Sequence, residues 1–109
     1  MARKVIWTET AWRDLERSAD YIAEDSPGYA AAFVLRIRES ARSLDELTLR
    51  GRAVPELGEP DVRELLVGNY RLIYEVHEKA VYILGLIHGA RDLAALWRIE
   101  GRSQTDKPS

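Results

Sequence analysis

Cysteine is absent from the 109 residues, so neither a disulfide nor a thiolate metal site can hold the fold. Long hydrophobic runs are missing as well. The N-terminal stretch turns polar after Val5, Ile6 and Trp7, far too soon for a signal-peptide core or a membrane span. A cytoplasmic protein with no membrane association is the expectation. Neither sign of charge dominates: sixteen basic residues against eighteen acidic give a formal charge of −2. That balance argues against wrapping a nucleic-acid backbone, and no direct sequence-specific nucleic-acid binding is expected. Internal repeats, a Gly-rich phosphate loop, paired histidines at zinc spacing and a nucleophile elbow are all lacking. No cofactor and no metal is therefore expected. The length suits one domain over residues 1–100, followed by a polar tail, 101–109, expected to be disordered.

What is present divides into a helical half and a strand half. Arg3 to Trp7 has the β-branched and aromatic content of a short strand. Thr8 can then cap a helix from about Glu9 to Glu24, along which Trp12, Leu15, Ala19 and Ile22 recur at helical spacing. Ser26-Pro27 opens a second helix to about Leu47, with Phe33, Ile37, Ala41 and Leu44 on one face. Two short-linked amphipathic helices form an antiparallel hairpin, and a sheet is the only candidate to cover their apolar stripes. Thr48 to Asp61, with Gly51, Pro55, Gly58 and Pro60, breaks both periodicities and reads as a loop.

Val62 to Asp92 carries three short alternating strands joined by two tight turns, Gly68-Asn69 and the weaker Glu78-Lys79. Two-residue loops pair Val67 with Tyr70 and His77 with Ala80, and alternation then assigns the faces. One face carries Arg63, Leu65, Val67, Tyr70, Leu72, Tyr74, Val76, Val81, Ile83, Gly85 and Ile87, and belongs under the helices. The other carries Glu64, Leu66, Arg71, Ile73, Glu75, His77, Tyr82, Leu84, Leu86 and His88. Its middle is too apolar for a solvated surface. Either a partner binds there or the C-terminal segment, with Leu93, Leu96 and Trp97 at helical spacing, folds back over it; the general rule for exposed apolar patches favours a partner.

This arrangement resembles the RelE/ParE superfamily of toxins from bacterial toxin–antitoxin pairs, over roughly residues 3 to 98. The superfamily's Tyr-Arg-x-x-Tyr signature is matched by Tyr70, Arg71 and Tyr74, and its Arg-Glu-Leu by Arg63, Glu64 and Leu65. The resemblance implies an α+β fold, β-α-α-β-β-β, with a helical hairpin on an antiparallel sheet and a short C-terminal helix. It also implies an antitoxin that wraps the toxin, here a ParD-like protein expected to contact Leu66, Arg71, Ile73, Leu84 and Leu86.

The superfamily splits into RelE-like members, which cut messenger RNA on the ribosome, and ParE-like members, which poison DNA gyrase. Cleavage through a 2′-hydroxyl needs a base, an acid and cations around the phosphate. RelE-like nucleases tend to follow the last strand with several basic residues and a tyrosine. Here the chain reads His88-Gly89-Ala90-Arg91-Asp92-Leu93, no tyrosine follows Tyr82, and Arg50 and Arg52 are the only cations between Thr48 and Asp61. The resemblance is thus to the ParE-like branch, with gyrase as implied target, His88, Arg91 and Trp97 as candidate target contacts and no catalytic residue. The alternatives are a RelE-type ribosome-dependent endoribonuclease and a toxin fold that has lost activity. His88 is read as a strand-end histidine, since a general base needs positioned partners. His77 is expected to be solvated at its turn. Arg91 and Asp92 either bind a partner or cap the last helix; Trp7 and Trp12 are expected in the core. The alternating charges of the first helix, Asp14 among them, suit a solvated face.

Overall fold

The computed structural model describes residues 2–89 together with Arg91, Leu93 and Trp97. Its elements run β1 (Lys4–Trp7), α1 (Glu9–Ala23), α2 (Pro27–Arg42), a 3₁₀ turn (Ser43–Asp45), β2 (Arg52–Ala53), β3 (Val62–Val67), β4 (Tyr70–Val76) and β5 (Ala80–His88). The expected α+β order holds, with one added short strand, β2, inside the segment read as a loop. The expected C-terminal helix falls mostly outside the described residues, as do the tail, Leu96 and the Asp92 cap.

Local chemistry sets the helix ends. The Thr8 hydroxyl accepts from the Ala11 amide and donates to the Ile83 carbonyl at 2.9 Å, so a single side chain caps α1 and ties it to β5. Ser26 accepts from the Tyr29 amide, and Pro27 occupies the first turn of α2, where its missing N–H costs nothing. Beyond Arg42 the chain tightens into the 3₁₀ turn, so α2 stops short of the expected Leu47.

The sheet order is β1-β5-β4-β3-β2. β3, β4 and β5 form an antiparallel meander, β2 extends it, and β1 pairs parallel to β5, with Val5 opposite Val81. Gly68 sits at φ 60°, as the tight turn between β3 and β4 requires. Two cores result, one on each sheet face. On the helix side Ala11, Leu15, Ile37, Ala41 and Leu44 pack against Val67, Leu72, Tyr74, Val81, Ile83 and Leu86. On the other side Val54, Val62, Ile73, Leu84, Ile87 and Leu93 form a second cluster, edged by Leu57, Tyr82 and Trp97.

The second core decides between the two expected coverings of this face: the C-terminal segment folds back over it through Leu93 and Trp97, in place of the favoured open face for a partner. Ile73 and Leu84 are almost completely buried, beneath Val54 from the loop and Leu93 from the C-terminal segment. A further correction concerns register. The 77–80 turn pairs Tyr74 with Ile83 as expected, but Ile73 then pairs with Gly85, so Leu84 is an extra residue in a β-bulge. Beyond it the alternation inverts. Leu86 joins the helix-side core, Gly85 and Ile87 move to the second side, and His88 comes opposite Tyr70, the reverse of the faces expected from strict alternation.

Two helix residues also differ from expectation. Trp12 is 41% exposed, its ring edge-on to Trp7 with the Arg38 guanidinium over it, so it is a surface aromatic and not core. Asp14 accepts from the Leu86 amide at 3.0 Å, just past the bulge, and is an anchor of α1 to the sheet, not a solvated charge.

Candidate functional site

Arg71, the arginine of the signature, sits on β4 with only 7% of its surface exposed. A guanidinium taken out of water must have its donors met, or the desolvation cost is not recovered. Two carboxylates meet them. Arg71 Nε donates to Glu64 Oε1 at 2.6 Å, while Nη1 and Nη2 donate to the two oxygens of Glu56 at 2.8 Å each, a bidentate fork. Glu64, itself buried on β3, uses its second oxygen to accept from Arg52 Nε at 2.7 Å. The result is an alternating chain, Arg52–Glu64–Arg71–Glu56, that pins the loop carrying Glu56 to the sheet. The hydrogen bonds from Arg71 hold the Glu56 carboxyl below its usual range, and the same pairing pushes the Arg71 guanidinium further up.

The signature tyrosines have separate tasks. Tyr74, fully buried, donates from its hydroxyl to the Thr48 carbonyl at 2.8 Å and accepts from the Gly51 amide at 2.9 Å, closing the start of the same loop. Burial raises its phenol above the ordinary value. Gly51 is obligatory there, because a Cβ would lie 2.4 Å from the Glu64 carbonyl oxygen and 2.6 Å from the Tyr74 hydroxyl. Tyr70 packs on Phe33 of α2 and meets the His88 ring edge-on at 5.3 Å.

At this end of the sheet lies a groove of about 610 Å³, lined by Arg52, Glu56, Leu66, Tyr70, Arg71 and His88 among others. Of the five residues expected to face the antitoxin, Leu66 alone is open, 54% exposed on its wall. Arg71 is enclosed by carboxylates, Ile73 and Leu84 lie in the second core, and Leu86 lies under the helices. Of the expected target contacts, His88 and Arg91 are exposed, the Arg91 amide donating to the His88 carbonyl, while Trp97 is half-buried against the second core. His77 is less solvated than expected, 3.3 Å from the Glu75 carboxylate and edge-on to Tyr82. No group of His, Cys, Asp and Glu among the described residues could hold a metal ion.

Sequence reasoning missed Glu56 as a partner of Arg71 and Arg52 as a partner of Glu64. Glu64 was within reach, since it shares a face with Arg71 on the neighbouring strand at diagonal spacing, and an inward arginine needs such a partner. Glu56, in an aperiodic loop, left no comparable signal.

Known proteins give the geometry a family. In fold, the chain is similar to a chromosomal ParDE toxin–antitoxin system from P. aeruginosa, 26% identical with a TM-score of 0.67 over 80% of this chain and 96% of that one. It is also similar to the RelBE2 toxin–antitoxin complex from Mycobacterium tuberculosis, 27% identical with a TM-score of 0.56 over 84% of this chain and 95% of that one. No curated protein matches it. The family model for the ParE toxin of the type II toxin–antitoxin system, parDE, matches residues 5–93, and with that span the chain belongs to the ParE family of type II toxins within the ParE/RelE superfamily.

Proposed function

We propose that this toxin acts without catalysis, by poisoning DNA gyrase in the cytoplasm, and that a cognate ParD-like antitoxin neutralises it. The observation that carries the non-nucleolytic reading is the state of Arg71. A nuclease of this fold needs a cation free beside the scissile phosphate and a positioned base. Here Glu56 takes Nη1 and Nη2 and the wholly buried Glu64 takes Nε, so a phosphate would have to displace the first carboxylate and lie beside the second, whose charge offsets the guanidinium. His88 is followed by Gly89 and Ala90, which bring no side-chain acid or cation to it. Gyrase as the target comes from the family likeness. Leu66 is the antitoxin contact, because it is the apolar residue of the expected strip that reaches solvent. His88, Arg91 and the edge of Trp97 are the target contacts.

The likeness to RelBE2 favours a second reading, ribosome-dependent cleavage of messenger RNA. One paired experiment separates the two. Purified toxin is incubated with gyrase and supercoiled DNA, and separately with translating ribosomes. Gyrase-dependent DNA cleavage with intact messenger RNA is expected, and the DNA cleavage should be suppressed by the cognate antitoxin. Messenger RNA cleavage abolished by Arg71→Ala would overturn the proposal.

A further inference from the structure

Glu56 occupies Arg71 in the manner of a bound ligand. It comes from a loop, contributes only its carboxylate, and makes the two parallel bonds with which an arginine grips a carboxylate from outside. Its side chain is one-third exposed and faces the groove, whereas Glu64 on the other side of the guanidinium is wholly buried. The loop has a second seat besides Glu56: Val54 is buried in the second core, Leu57 packs beside it, and the Leu57 and Gly58 amides both donate to the Val54 carbonyl. Rotation of one side chain is enough to vacate the guanidinium edge.

We propose that the groove is a binding site for an acidic peptide segment of a protein partner, and that Glu56 is an internal stand-in which the partner's carboxylate displaces. Charge selects this ligand. With Glu56 swung out, two arginines, Arg52 and Arg71, remain against one glutamate, Glu64, leaving a single positive charge. That matches one carboxylate and offers little to a polyanionic nucleic-acid backbone, whose binding scales with the number of phosphates neutralised. The wall supplies the second half of the recognition. Leu66 stands more than half exposed beside the arginines, so a segment with an aliphatic residue next to its acid finds both contacts. Exchange of one carboxylate for another conserves the ion pair, so affinity comes from the apolar contact, and Glu56 sets a threshold that excludes partners bearing only charge. The site does not depend on which cellular target the toxin poisons.

The test uses the full chain and three fluorescein-labelled probes: a decapeptide with two glutamates set between leucines, the same peptide with glutamines, and a short oligodeoxythymidine. Fluorescence anisotropy should show binding of the glutamate peptide alone, tightened about tenfold in Glu56→Gln, where the competitor is gone. Leu66→Ser should weaken it by a similar factor. Equal binding of the two peptides, no gain in Glu56→Gln, or preference for the oligonucleotide would each overturn the proposal. A second readout needs no variant: addition of the glutamate peptide to wild-type protein should shift the Arg71 Nε–H and Leu66 amide resonances, and unmoved resonances at saturation would count against the site.

Discussion

Replacing Tyr74 with phenylalanine removes a single oxygen and should cost more stability than any surface change in the chain. The hydroxyl is both donor to the Thr48 carbonyl and acceptor from the Gly51 amide, in a side chain with no exposed surface. Its loss leaves a backbone acceptor and a backbone donor unpaired in the interior, each at about 1–3 kcal/mol. Partial rescue by water at the loop brings the expected total to about 2–4 kcal/mol, or a fall in melting temperature on the order of 10 °C for a domain of this size. Urea denaturation should show the midpoint falling with an unchanged slope, because the surface exposed on unfolding is the same. Gly51→Ala tests the same junction from the other side. Its Cβ meets the Glu64 carbonyl as well as the Tyr74 hydroxyl, so the two substitutions should be less than additive, with Phe relieving only one of the two collisions. The pH dependence has a fixed sign. Burial raises the folded phenol, so the neutral form is favoured in the fold; this contribution is complete below the unfolded value near ~10 and is lost as pH rises through the folded value. One of the five tyrosines should therefore ionise at higher pH in the fold than after unfolding. An unchanged midpoint in Tyr74→Phe would refute the reasoning, for it would mean that the loop is not closed through this hydroxyl.

Leu93→Ala should cost about 2–5 kcal/mol in the same urea assay, since its side chain is fully buried in the second core; a neutral result would mean that the C-terminal segment does not cover that face. Glu56 has the opposite pH sign to Tyr74: its folded carboxyl is lowered by Arg71, so the ion pair contributes above the unfolded value of about 4.5 and fades as pH falls through the folded one. Melting curves of wild type and Glu56→Gln should accordingly converge in acid, and a constant gap from pH ~7 to ~3 would count against the pairing. Leu66→Glu should melt within about 0.5 kcal/mol of wild type yet weaken antitoxin binding measured by calorimetry, whereas Leu84→Glu should fail to fold. Unaltered antitoxin affinity in a folded Leu66→Glu protein would move the contact elsewhere.

The parts of this fold that could be read in the sequence are those whose causes are local. Thr8 and Ser26-Pro27 announce helix starts because a hydroxyl cap and a proline act within one turn, and Gly68 announces its turn because few residues tolerate its φ. Parallel pairing of β1 with β5 joins residues such as Val5 and Val81, and nothing near Val5 encodes it. The candidate site shows the same division. Arg71 and Glu64 could be matched by strand geometry, but Glu56 and Arg52 reach them from an aperiodic segment, and the covering of Ile73 and Leu84 depends on where Val54 and Leu93 come to rest. An apolar strip on a sheet looks the same in sequence whether a partner or the chain's own loop covers it.

The bulge at Leu84 shows how one residue redistributes the chemistry of a strand. Its signal was an isolated glycine inside a strand pattern, Gly85, which has no side chain to hold strict alternation and commonly marks an irregular ladder. Had the ladder continued unbroken, Gly85 would have stood under the helices, leaving a void where Leu86 now packs, and Ile87 would have left the second core. The extra residue exchanges these roles, so that Leu86 fills the helix-side core and Ile87 the second. The exchange also brings His88 opposite Tyr70, at the mouth of the groove that holds Arg71 and Leu66. Asp14 accepting from the Leu86 amide and Thr8 holding the Ile83 carbonyl bracket the irregularity from α1. The helix therefore fixes where the ladder slips, and the slip decides which side chains line the groove. Asp14→Ala should on this reasoning disturb the resonances of Leu86 and His88 more than those of Val81, although Val81 lies in the same strand and the same core. A uniform small shift along β5 would mean that the bulge is held by the sheet alone.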